Sequence, residues 1–427
     1  MRLILIESPH EVRCRFHPLT LSRPIWELRC GATNLADKLL ARTGARDVAC
    51  FVPEYLAGAY GAKTDWPVND LSALAGDDLL ILDPRVRADA FAVPQVGPSE
   101  VGLDDEGHLL YARIARQDLA GLRFGDLDGF LSAVRSNLPT VAASVGVWEY
   151  IWELMLANPD QLRADFVEAG RHGIEGTVEE PSALRGSARD IYIAPGARVH
   201  PMVVIDATGG PVTIDEGAEI YPFTRIVGPA HIGRQSRLYG AKCHEGNSIG
   251  PVCRIGGEVE CSIIQGYTNK YHDGFLGHAY VGEWVNLGAL TSNSDLKNDY
   301  STVEVSQDGR RPTDTGSPKV GCLIGDHTKT SIGTLFNTGT YVGAMSLIMA
   351  TGEPLAKFIP SFAWLLDGVV TKGFGKRKLY ETARVAMARR GHPWTDVEQA
   401  MWDAVYEMTK DRRDELIRRG RRQMLKQ

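Results

Sequence analysis

The segment that decides the fold is IDEGAEIYPFTRIVGPAHIGRQSRL, residues 214–238, in which an aliphatic residue recurs at every sixth position. The recurring residues are Ile214, Ile220, Ile226, Ile232 and Leu238. A period of six fits neither the turn of an α-helix nor the two-residue alternation of a simple strand. It fits a triangular β-solenoid with about 18 residues per coil, in which each side is one short strand and the aliphatic side chain points inward.

The six-residue spacing continues toward the C-terminus with interruptions. Its further members are Ile249, Ile255, Cys261, Phe275, Val281, Leu287, Ile324, Thr330, Phe336, Val342 and Ile348, with a weaker start at Ile193 and Val199. Residues 186–345 contain 24 glycines in 160 positions. Because tight corners need unusual φ angles or close backbone approach, this excess agrees with a solenoid. Glycine does not recur at every third residue, which excludes collagen.

The period lapses between Leu290 and Gly321, where the sequence is polar and rich in turn-forming residues. Long loops in compact domains are usually functional or disordered. We therefore predict an excursion loop over 290–321 that leaves the solenoid wall and can reach a neighbouring subunit.

The chain before and after the repeats has a different character. Short apolar runs at Arg2–Ile6, Val48–Val52 and Leu79–Leu82 alternate with stretches of helical spacing at 34–41 and 142–157. This alternation predicts an α/β domain with a mostly parallel sheet. After residue 370, apolar residues recur at helical spacing, which predicts a helical extension.

Charge and cysteine content restrict the class of protein. The 427 residues have a net charge of −6, so broad affinity for nucleic acid is not expected. Residues 371–427 have 15 Lys/Arg against 8 Asp/Glu. We expect this basic face to be solvated surface, with phosphate binding at the end of the solenoid as the alternative. Seven cysteines without a CxxC pair favour reduced thiols and a cytoplasmic location, and no segment has the pattern of a signal peptide or a membrane span.

Residues 270–293, KYHDGFLGHAYVGEWVNLGALTSN, contain a gapless motif. The motif comprises His272, Leu276-Gly277, Val281-Gly282 and Asn286-Leu287-Gly288-Ala289. The segment resembles the acetyltransferase half of the bifunctional N-acetylglucosamine-1-phosphate uridyltransferase/glucosamine-1-phosphate acetyltransferase family. The remaining repeats match that family by period only. The resemblance implies a left-handed parallel β-helix and a homotrimer with its site between subunits.

The N-terminal segment FHPLTLSRPIWELRCGATNLADKL, residues 16–39, is similar to sugar-phosphate nucleotidyltransferases. It has a Pro-Leu-Thr…Pro stretch followed by a first long helix, and it resembles a divergent bacterial branch that begins with Leu-Thr-x-x-Arg-Pro-x-x-Glu-Leu-Arg. Residues 7–10, Glu-Ser-Pro-His, stand where the family has a glycine-rich loop, and Ile25 stands where it has a lysine. The resemblance implies a Rossmann-like nucleotidyltransferase fold.

The resemblance also implies roles for single residues of the β-helix. His272 stands at the position of the general base, and a neutral imidazole can deprotonate an acceptor amine. Asn286 matches a position that contacts the acceptor sugar, although a corner asparagine can simply supply a tight turn. Ala289 matches a position where coenzyme A lies against the backbone, and Thr338 is a second candidate for that contact.

Three polar residues near the motif are candidates for holding the acceptor phosphate. Asn269 and Lys270 precede the candidate base, and Lys297 lies in the excursion. A lysine ammonium binds phosphate as a point charge, so we predict acceptor binding, with solvated loop lysines as the alternative. Phe275 replaces a family tyrosine, so acceptor recognition is expected to differ.

In the N-terminal domain, Arg23 and Arg29 are the candidate nucleotide-binding residues. Guanidinium groups bind phosphate oxygens bidentately, and surface salt bridges are the alternative. Asp83 follows a predicted strand, at the edge where ligands bind in open α/β sheets. We therefore predict that Asp83 is a Mg²⁺ ligand.

A rival hypothesis is a zinc site. His272 and His278 are six residues apart, and His244 lies upstream. β-Helical carbonic anhydrases form trimers that bind zinc with three histidines between subunits, and neutral imidazoles suit that metal. The acetyltransferase motif accounts for His272 better, so zinc is the weaker hypothesis.

These observations predict three domains: an α/β nucleotidyltransferase-like domain at 1–184, the β-helix at 185–370 and a helical extension at 371–427. With the resemblance, they predict a cytoplasmic bifunctional transferase. It would acetylate an amino-sugar 1-phosphate from acetyl-CoA and then transfer a nucleotidyl group from an NTP with Mg²⁺. Its partners would be small molecules and copies of itself, not nucleic acid or membrane. The alternatives are an acyltransferase with a degenerate N-terminal domain and a non-enzymatic trimeric scaffold.

Overall fold

The N-terminal domain is built on one mixed sheet of six strands. The computed structural model describes residues 1–425, and within it the predicted strands Arg2–Ile6 and Leu79–Leu82 form, as does a strand at Val48–Phe51. These three pair in parallel, whereas Leu109–Ile114 runs antiparallel to both of its neighbours. In spatial order the strands are Val48–Phe51, Arg2–Ile6, Leu79–Leu82, Leu109–Ile114, Glu100–Leu103 and Thr140–Ala142.

Helices cover both faces of this sheet. One of them begins at a later residue than the sequence predicts. The longer ones are α1 (Leu35–Thr43), α2 (Glu54–Gly61), α3 (Leu127–Asn137) and α4 (Ile151–Ala169). Asn34 begins α1 as predicted, because its side chain accepts a hydrogen bond from the Asp37 amide at 2.8 Å. The helix predicted at 142–157 lies at α4 instead, because Thr140–Ala142 forms an edge strand of the sheet. Shorter helical segments are His10–Arg13, Cys14–Phe16, Leu19–Leu21, Ile25–Glu27, Leu71–Leu74, Arg116–Leu119 and Ala188–Asp190.

The middle of the chain is a left-handed parallel β-helix with three faces. The first face has ten strands: Gly173–Ile174, Ile191–Ile193, Val212–Ile214, Ala230–Ile232, Asn247–Ile249, Ile263–Gly266, Tyr280–Glu283, Leu323–Ile324, Tyr341–Val342 and Phe358–Ile359. The second contains Thr177–Val178, Arg198–Val199, Glu219–Ile220, Asn269–Lys270, Lys329–Thr330, Leu347–Ile348, Trp364–Leu366 and the antiparallel Val369–Thr371. The third contains Ala183–Arg185, Val204–Asp206, Arg225–Val227, Phe275–Gly277, Ser292–Asn293 and Leu335–Phe336. Arg237–Cys243 and Arg254–Glu260 bend from the second face to the third.

The coils are not all 18 residues long, and this displaces part of the predicted register. From Ile232 the pairing passes to Ile249 and then to Ile264, so this last coil has only 15 residues. As a result Val259, not Cys261, is the buried core residue of its coil. For the same reason Leu276 lies in the core, whereas Phe275 is half-buried. Counting every sixth residue therefore assigns the wrong core position wherever a coil is shorter than 18 residues.

Glycines serve close approach between coils as well as positive φ angles. A Cβ on Gly250 would lie 2.0 Å from the Gln265 carbonyl oxygen, and one on Gly343 would lie 2.2 Å from the Ser361 nitrogen. Many corners with positive φ are instead occupied by large residues, among them Phe223, Tyr267 and Trp284. The glycine excess therefore reflects both contacts between successive coils and corners with positive φ.

The excursion begins after Ser292–Asn293 and returns before Leu323–Ile324. It contains a hairpin of Glu304–Val305 and Thr313–Asp314. Val303 and Val305 are fully buried in a cluster with Phe16 of the N-terminal domain. The described contacts of this loop are thus with its own chain.

The C-terminal region comprises α5 (Lys376–Ala388), α6 (Asp396–Met408) and α7 (Lys410–Met424). These helices pack between the N-terminal domain and the last coils, where Trp402, Tyr380 and Phe362 share one buried cluster. The N-terminal domain covers the first face, and Tyr280 of that face is fully buried against it. A short hairpin of Arg29–Cys30 and Thr33–Asn34 lies at this junction. Within residues 1–425, no helix combines the length and apolar character needed to cross a bilayer, and all seven cysteines are free thiols.

Candidate active site

A groove of about 620 Å³ lies along the second face, at the corner where the gapless motif turns. Its wall combines residues of five successive coils with the end of α5. The lining residues are Tyr239, Arg254, Asn269, Tyr271, His272, Asn286, Leu287, Gly288, Ala289, Thr330, Ser331, Ile332, Arg389 and Arg390. The structure therefore brings together four of the predicted site residues: His272, Asn269, Asn286 and Ala289.

His272 is exposed at the corner between the second and third faces. Its ring meets the edge of Tyr271 at a centroid distance of 4.8 Å and an interplanar angle of 70°. Its carbonyl oxygen accepts a hydrogen bond from Lys270 Nζ at 2.8 Å, which holds the corner. Within residues 1–425 no hydrogen bond to the imidazole is recorded, so both ring nitrogens are available to a ligand in the groove.

Two asparagines and an arginine form a polar chain across the groove. Arg390 donates to Asn269 Oδ1 at 3.0 Å, and Asn269 Nδ2 donates to Asn286 Oδ1 at 3.3 Å. The asparagines belong to neighbouring coils, whereas Arg390 follows α5. This chain fixes amide groups beside the imidazole, where they can orient a hydroxyl-bearing ligand.

Three arginines make the groove electropositive. Arg254, Arg389 and Arg390 all line it, and none of them forms an ion pair with a carboxylate in the part of the chain that the structure describes. Partial burial, followed by repulsion from Arg390, lowers the pKa of Arg254. Partial burial, followed by repulsion from Arg389, lowers the pKa of Arg390. An anionic ligand would relieve this repulsion, and guanidinium groups suit phosphate oxygens.

Small residues let a ligand approach the backbone beside the imidazole. Gly288 has no room for a side chain, since a Cβ there would lie 2.5 Å from the Ser331 carbonyl carbon. Ala289 follows it and is half-buried in the groove wall. Thr338, the other predicted contact for coenzyme A, is buried on a later coil and does not line the groove.

The two predicted lysines lie elsewhere. Lys270 is 2% exposed and occupies an inward position of the β-helix, level with Ile255 of the preceding coil. Burial lowers its pKa to about 8, against the attraction of Asp273. Lys297 stays within the excursion, where its ammonium donates to Thr302 and Ser301. Neither ammonium is placed to meet a ligand in the groove.

The two predicted nucleotide-binding arginines lie at the junction of the domains. Arg23 is 8% exposed and pairs with Glu283 at 3.1 Å and with Asp326, both on the β-helix. The Arg29 guanidinium donates to the Ala32 carbonyl, and its amide donates to Gln265 Oε1 at 3.2 Å. Both arginines thus join the N-terminal domain to the first face.

Asp83 lies at the carboxyl edge of the N-terminal sheet, as predicted, but its surroundings do not fit Mg²⁺. Oδ1 accepts from the Arg85 amide at 2.8 Å and from Arg85 Nε at 3.1 Å, and Oδ2 accepts from Ser8 Oγ at 2.9 Å. The carboxylate is 2% exposed, and a guanidinium holds the place that a cation would need. Glu7 beside it is also engaged by its own chain, because its carboxylate lies near Arg13 and accepts a hydrogen bond from the Ile25 amide. Burial raises the pKa of Glu7 to about 7.

The groove residues that the sequence did not single out are Arg254, Arg389, Arg390, Tyr239 and Tyr271. Arg389 and Arg390 lie far beyond the motif in the sequence, so no local pattern connects them to it. The surplus of positive charge after residue 370 was the available signal. The two tyrosines belong to a ladder of rings at one corner, in which Tyr221, Tyr239 and Tyr271 follow one another at 4.7 and 4.4 Å.

The fold and groove define a two-part class of protein, in which a nucleotidyltransferase-like α/β domain is joined to a hexapeptide-repeat β-helix. Residues 3–172 match the model of the sugar nucleotidyl transferase family. Over part of its length the chain is similar to bifunctional GlmU proteins.

Three of these relatives show the extent of the likeness. The bifunctional protein GlmU of Acidovorax ebreus (strain TPSY) is 37% identical over 113 residues, which is 26% of this chain and 21% of that protein. The GlmU of Acaryochloris marina is 28% identical over 208 residues, or 47% of this chain and 38% of that protein. The GlmU of Synechococcus elongatus is 26% identical over 233 residues, or 53% and 43%. The chain thus aligns with less than half the length of these curated relatives.

Among solved structures, an Arabidopsis UDP-N-acetylglucosamine acyltransferase matches with 10% identity over 58% of this chain and 95% of that chain. Its TM-score is 0.23, which is too low to support a structural argument.

Proposed function

We propose that the protein is a bifunctional transferase of nucleotide-sugar synthesis. Its β-helix would acetylate an amino-sugar 1-phosphate from acetyl-CoA, and its N-terminal domain would then transfer a nucleotidyl group from an NTP to the acetylated sugar phosphate. The single observation that carries this proposal is the groove, which joins the exposed His272 to an asparagine pair and to three arginines that pair with no carboxylate among residues 1–425. The match of residues 3–172 to sugar nucleotidyl transferases supports the second activity.

In the first reaction, His272 acts as the general base. The acceptor ammonium first loses one proton to solvent. As the resulting amine attacks the carbonyl carbon of the thioester, His272 removes a second proton from the same nitrogen. The C–S bond then breaks, and the coenzyme A thiolate takes the proton from His272 as it leaves. Asn269 and Asn286 orient the sugar through its hydroxyl groups, while Arg389 and Arg390 neutralise phosphate charge.

The assembly that we propose is a homotrimer. His272 stands at an exposed corner with no partner for its imidazole in the described chain, and a neighbouring copy placed along this groove would complete and enclose the site. The division into domains with boundaries near 185 and 370 likewise remains a prediction, and the proposed substrates are small molecules.

One observation favours a second candidate, an acyltransferase whose N-terminal domain no longer performs nucleotidyl transfer. Asp83 is tied to Arg85 and Ser8, so the candidate metal ligand has no free oxygen for Mg²⁺. No step of nucleotidyl transfer is therefore assigned to a metal at this position.

Two separate assays on the purified full chain distinguish these candidates. With acetyl-CoA and glucosamine 1-phosphate, both candidates predict release of free thiol. With UTP, N-acetylglucosamine 1-phosphate and Mg²⁺, only the bifunctional enzyme releases pyrophosphate. Thiol release without pyrophosphate from any NTP would leave the acyltransferase alone, and the absence of thiol release with every amino-sugar phosphate would contradict both.

A further inference from the structure

A mixed cluster of sulfur, nitrogen and oxygen donors lies at a different edge of the β-helix from the groove. Glu260, Cys261 and His278 each offer one ligand atom, and these atoms all lie within 4.8 Å of one another. It is the one such group of three or more found within residues 1–425. His272 of the groove lies at the corner between the second and third faces, whereas this cluster lies at the corner between the third and first faces.

Hydrogen bonds already orient the imidazole of this cluster. His278 is 8% exposed, and its Nδ1 lies 2.7 Å from Asp295 Oδ2. Within residues 1–425 the His278 Nε2 atom has no hydrogen bond, so its lone pair is available to another partner. A carboxylate on one imidazole nitrogen is the arrangement that fixes the tautomer of metal-binding histidines and makes the other nitrogen a better donor.

The backbone also holds the donors in place. Cys261 and His278 both have positive φ angles, of 41° and 44°, because each begins a corner. The His278 amide donates to the Glu260 carbonyl at 3.0 Å, and the Cys261 amide donates to the Glu245 carbonyl at 3.0 Å. Two successive corners are therefore in register, which stacks the donors of one coil above those of the next.

The charge around the cluster favours a cation. Glu245, Glu260 and Asp295 contribute three carboxylates. Among the lysines and arginines that the structure describes, only Lys319 pairs with them, at 3.2 Å from Glu260 Oε1. The Cys261 thiol donates weakly to the Glu245 carbonyl at 3.4 Å. A divalent ion would balance the excess of negative charge, and the cysteine would bind it as the thiolate.

We propose that Glu260, Cys261 and His278 form a binding site for a transition-metal ion of the Zn²⁺ type. The mixed donor set selects such an ion, because Mg²⁺ and Ca²⁺ prefer oxygen ligands throughout, whereas Zn²⁺ accepts thiolate, imidazole and carboxylate together. Three protein ligands leave a fourth position for water or for another ligand.

The position of the site gives it a structural task. Asp295 and Lys319 stand where the excursion leaves and rejoins the β-helix, and the Val320 amide donates to the Asp295 carbonyl at 2.9 Å. A metal bound to His278 and Glu260 would act on both ends of the excursion through these two residues. The ion would therefore tie two coils to the base of the loop, independently of chemistry in the groove.

The test is a titration of the full chain, stripped with a chelator, using Co²⁺ followed by competition with Zn²⁺. We expect one Co²⁺ per chain with a thiolate-to-cobalt charge-transfer band, and displacement by Zn²⁺. Cys261→Ser should abolish the band, and Asp295→Asn should weaken binding by about 10- to 100-fold through loss of orientation of His278. His278→Asn, a residue that tolerates a positive φ, should also remove binding.

The control is Cys14→Ser, because Cys14 is also a half-buried thiol beside a histidine, with Sγ 3.4 Å from His10 Nε2. It should bind Co²⁺ like the wild type. The proposal is overturned if the wild type binds no stoichiometric Co²⁺, if Cys261→Ser keeps the band, or if Cys14→Ser loses it. Should Cys261→Ser fail to fold, Asp295→Asn decides, since unchanged affinity in that variant contradicts the site.

Discussion

Arg390 is the residue through which the C-terminal helices take part in the candidate groove. It follows α5, donates to Asn269 at 3.0 Å and stands beside Arg389 without a carboxylate partner among the described residues. The lowered pKa of Arg390, caused first by burial and then by Arg389, means that the free groove holds uncompensated positive charge. Substrate phosphate is the expected compensation.

Replacing this charge should weaken binding of the anionic substrate. Arg390→Gln should raise KM by about 10- to 100-fold, the equivalent of one charged hydrogen bond, and change kcat much less. Steady-state thiol release at varied amino-sugar phosphate and varied acetyl-CoA would show which substrate is affected. Arg377→Gln is the matched control, because that side chain of α5 is 93% exposed and should leave both constants unchanged. Equal KM values for all three proteins would exclude Arg390 from the site.

At the residue scale, the buried ammonium of Lys270 destabilises the folded protein. Its ammonium lies inside the β-helix, and burial lowers its pKa to about 8 from an ordinary value near 10.4. Between these two values the unfolded chain binds more protons than the folded chain, so stability rises with pH across that window. Below about pH 8 the whole penalty is present. The same ammonium donates a hydrogen bond to the His272 carbonyl, which holds the candidate base in place.

Lys270→Met should therefore stabilise the protein while it impairs acetyl transfer. At pH 7 we expect a gain of about 1–2 kcal/mol in the free energy of unfolding, because the removed charge penalty exceeds one lost hydrogen bond. The gain should shrink between about pH 8 and pH 10. Urea unfolding at pH 7 and pH 9.5 measures this, with the exposed Lys378→Met as control. A loss of stability at pH 7 would show that the ammonium is not held at a cost.

At the scale of elements, the N-terminal domain and the β-helix are joined by a buried ion-pair network. Arg23 stands at its centre, between Glu283 on one coil and Asp326 on the next. Burial alone would raise the pKa of Glu283, but Arg23 and Lys63 outweigh it and hold that pKa below its usual value. The arginine that the sequence offered for a triphosphate is thus neutralised by carboxylates of another domain.

Breaking this network should loosen the two domains. Arg23→Gln removes the cation that pairs with the buried Asp326 and the half-buried Glu283, and we expect a loss of about 3–5 kcal/mol. The variant should therefore show an earlier first transition in urea than the wild type. Arg42→Gln provides the comparison, because Arg42 pairs with Glu168 at the surface and should cost about 1 kcal/mol or less. A nucleotide that stabilises the wild type but not Arg23→Gln would instead support the original assignment of Arg23.

At the scale of the whole molecule, the sequence predicted the repeating strands and the residues close to the motif. It did not predict positions that depend on how the coils pack. The hexad run from Ile214 to Leu238 is regular and predicted the β-helix. Because residues are lost at later corners, Val259 rather than Cys261 is the buried core residue of its coil. His272, Asn286 and Ala289 could be predicted as neighbours because a single coil brings them round to the same groove.

Residues that act across the molecule could not be placed from spacing alone. Arg389 and Arg390 reach the groove because α5 folds back along the second face, and only their positive charge was visible beforehand. Lys270 occupies an inward position level with Ile255, but it falls outside the six-residue series that the sequence shows, so the spacing did not predict its burial. The sequence predicted nucleotide binding by Arg23 and metal binding by Asp83. It did not show their counter-ions, because Asp326 lies far along the chain from Arg23 and the pairing of Arg85 with Asp83 depends on side-chain geometry.

The most direct test of the account is the rate of thiol release from acetyl-CoA in the presence of glucosamine 1-phosphate by wild type, His272→Gln and His172→Gln. His172 is an exposed histidine outside the groove, so its variant controls for loss of an imidazole. Removing a general base lowers kcat by about 100- to 10,000-fold, and we predict a loss of this size for His272→Gln alone, with an unchanged unfolding transition. Equal rates for wild type and His272→Gln would contradict the assignment of acyl transfer to this groove.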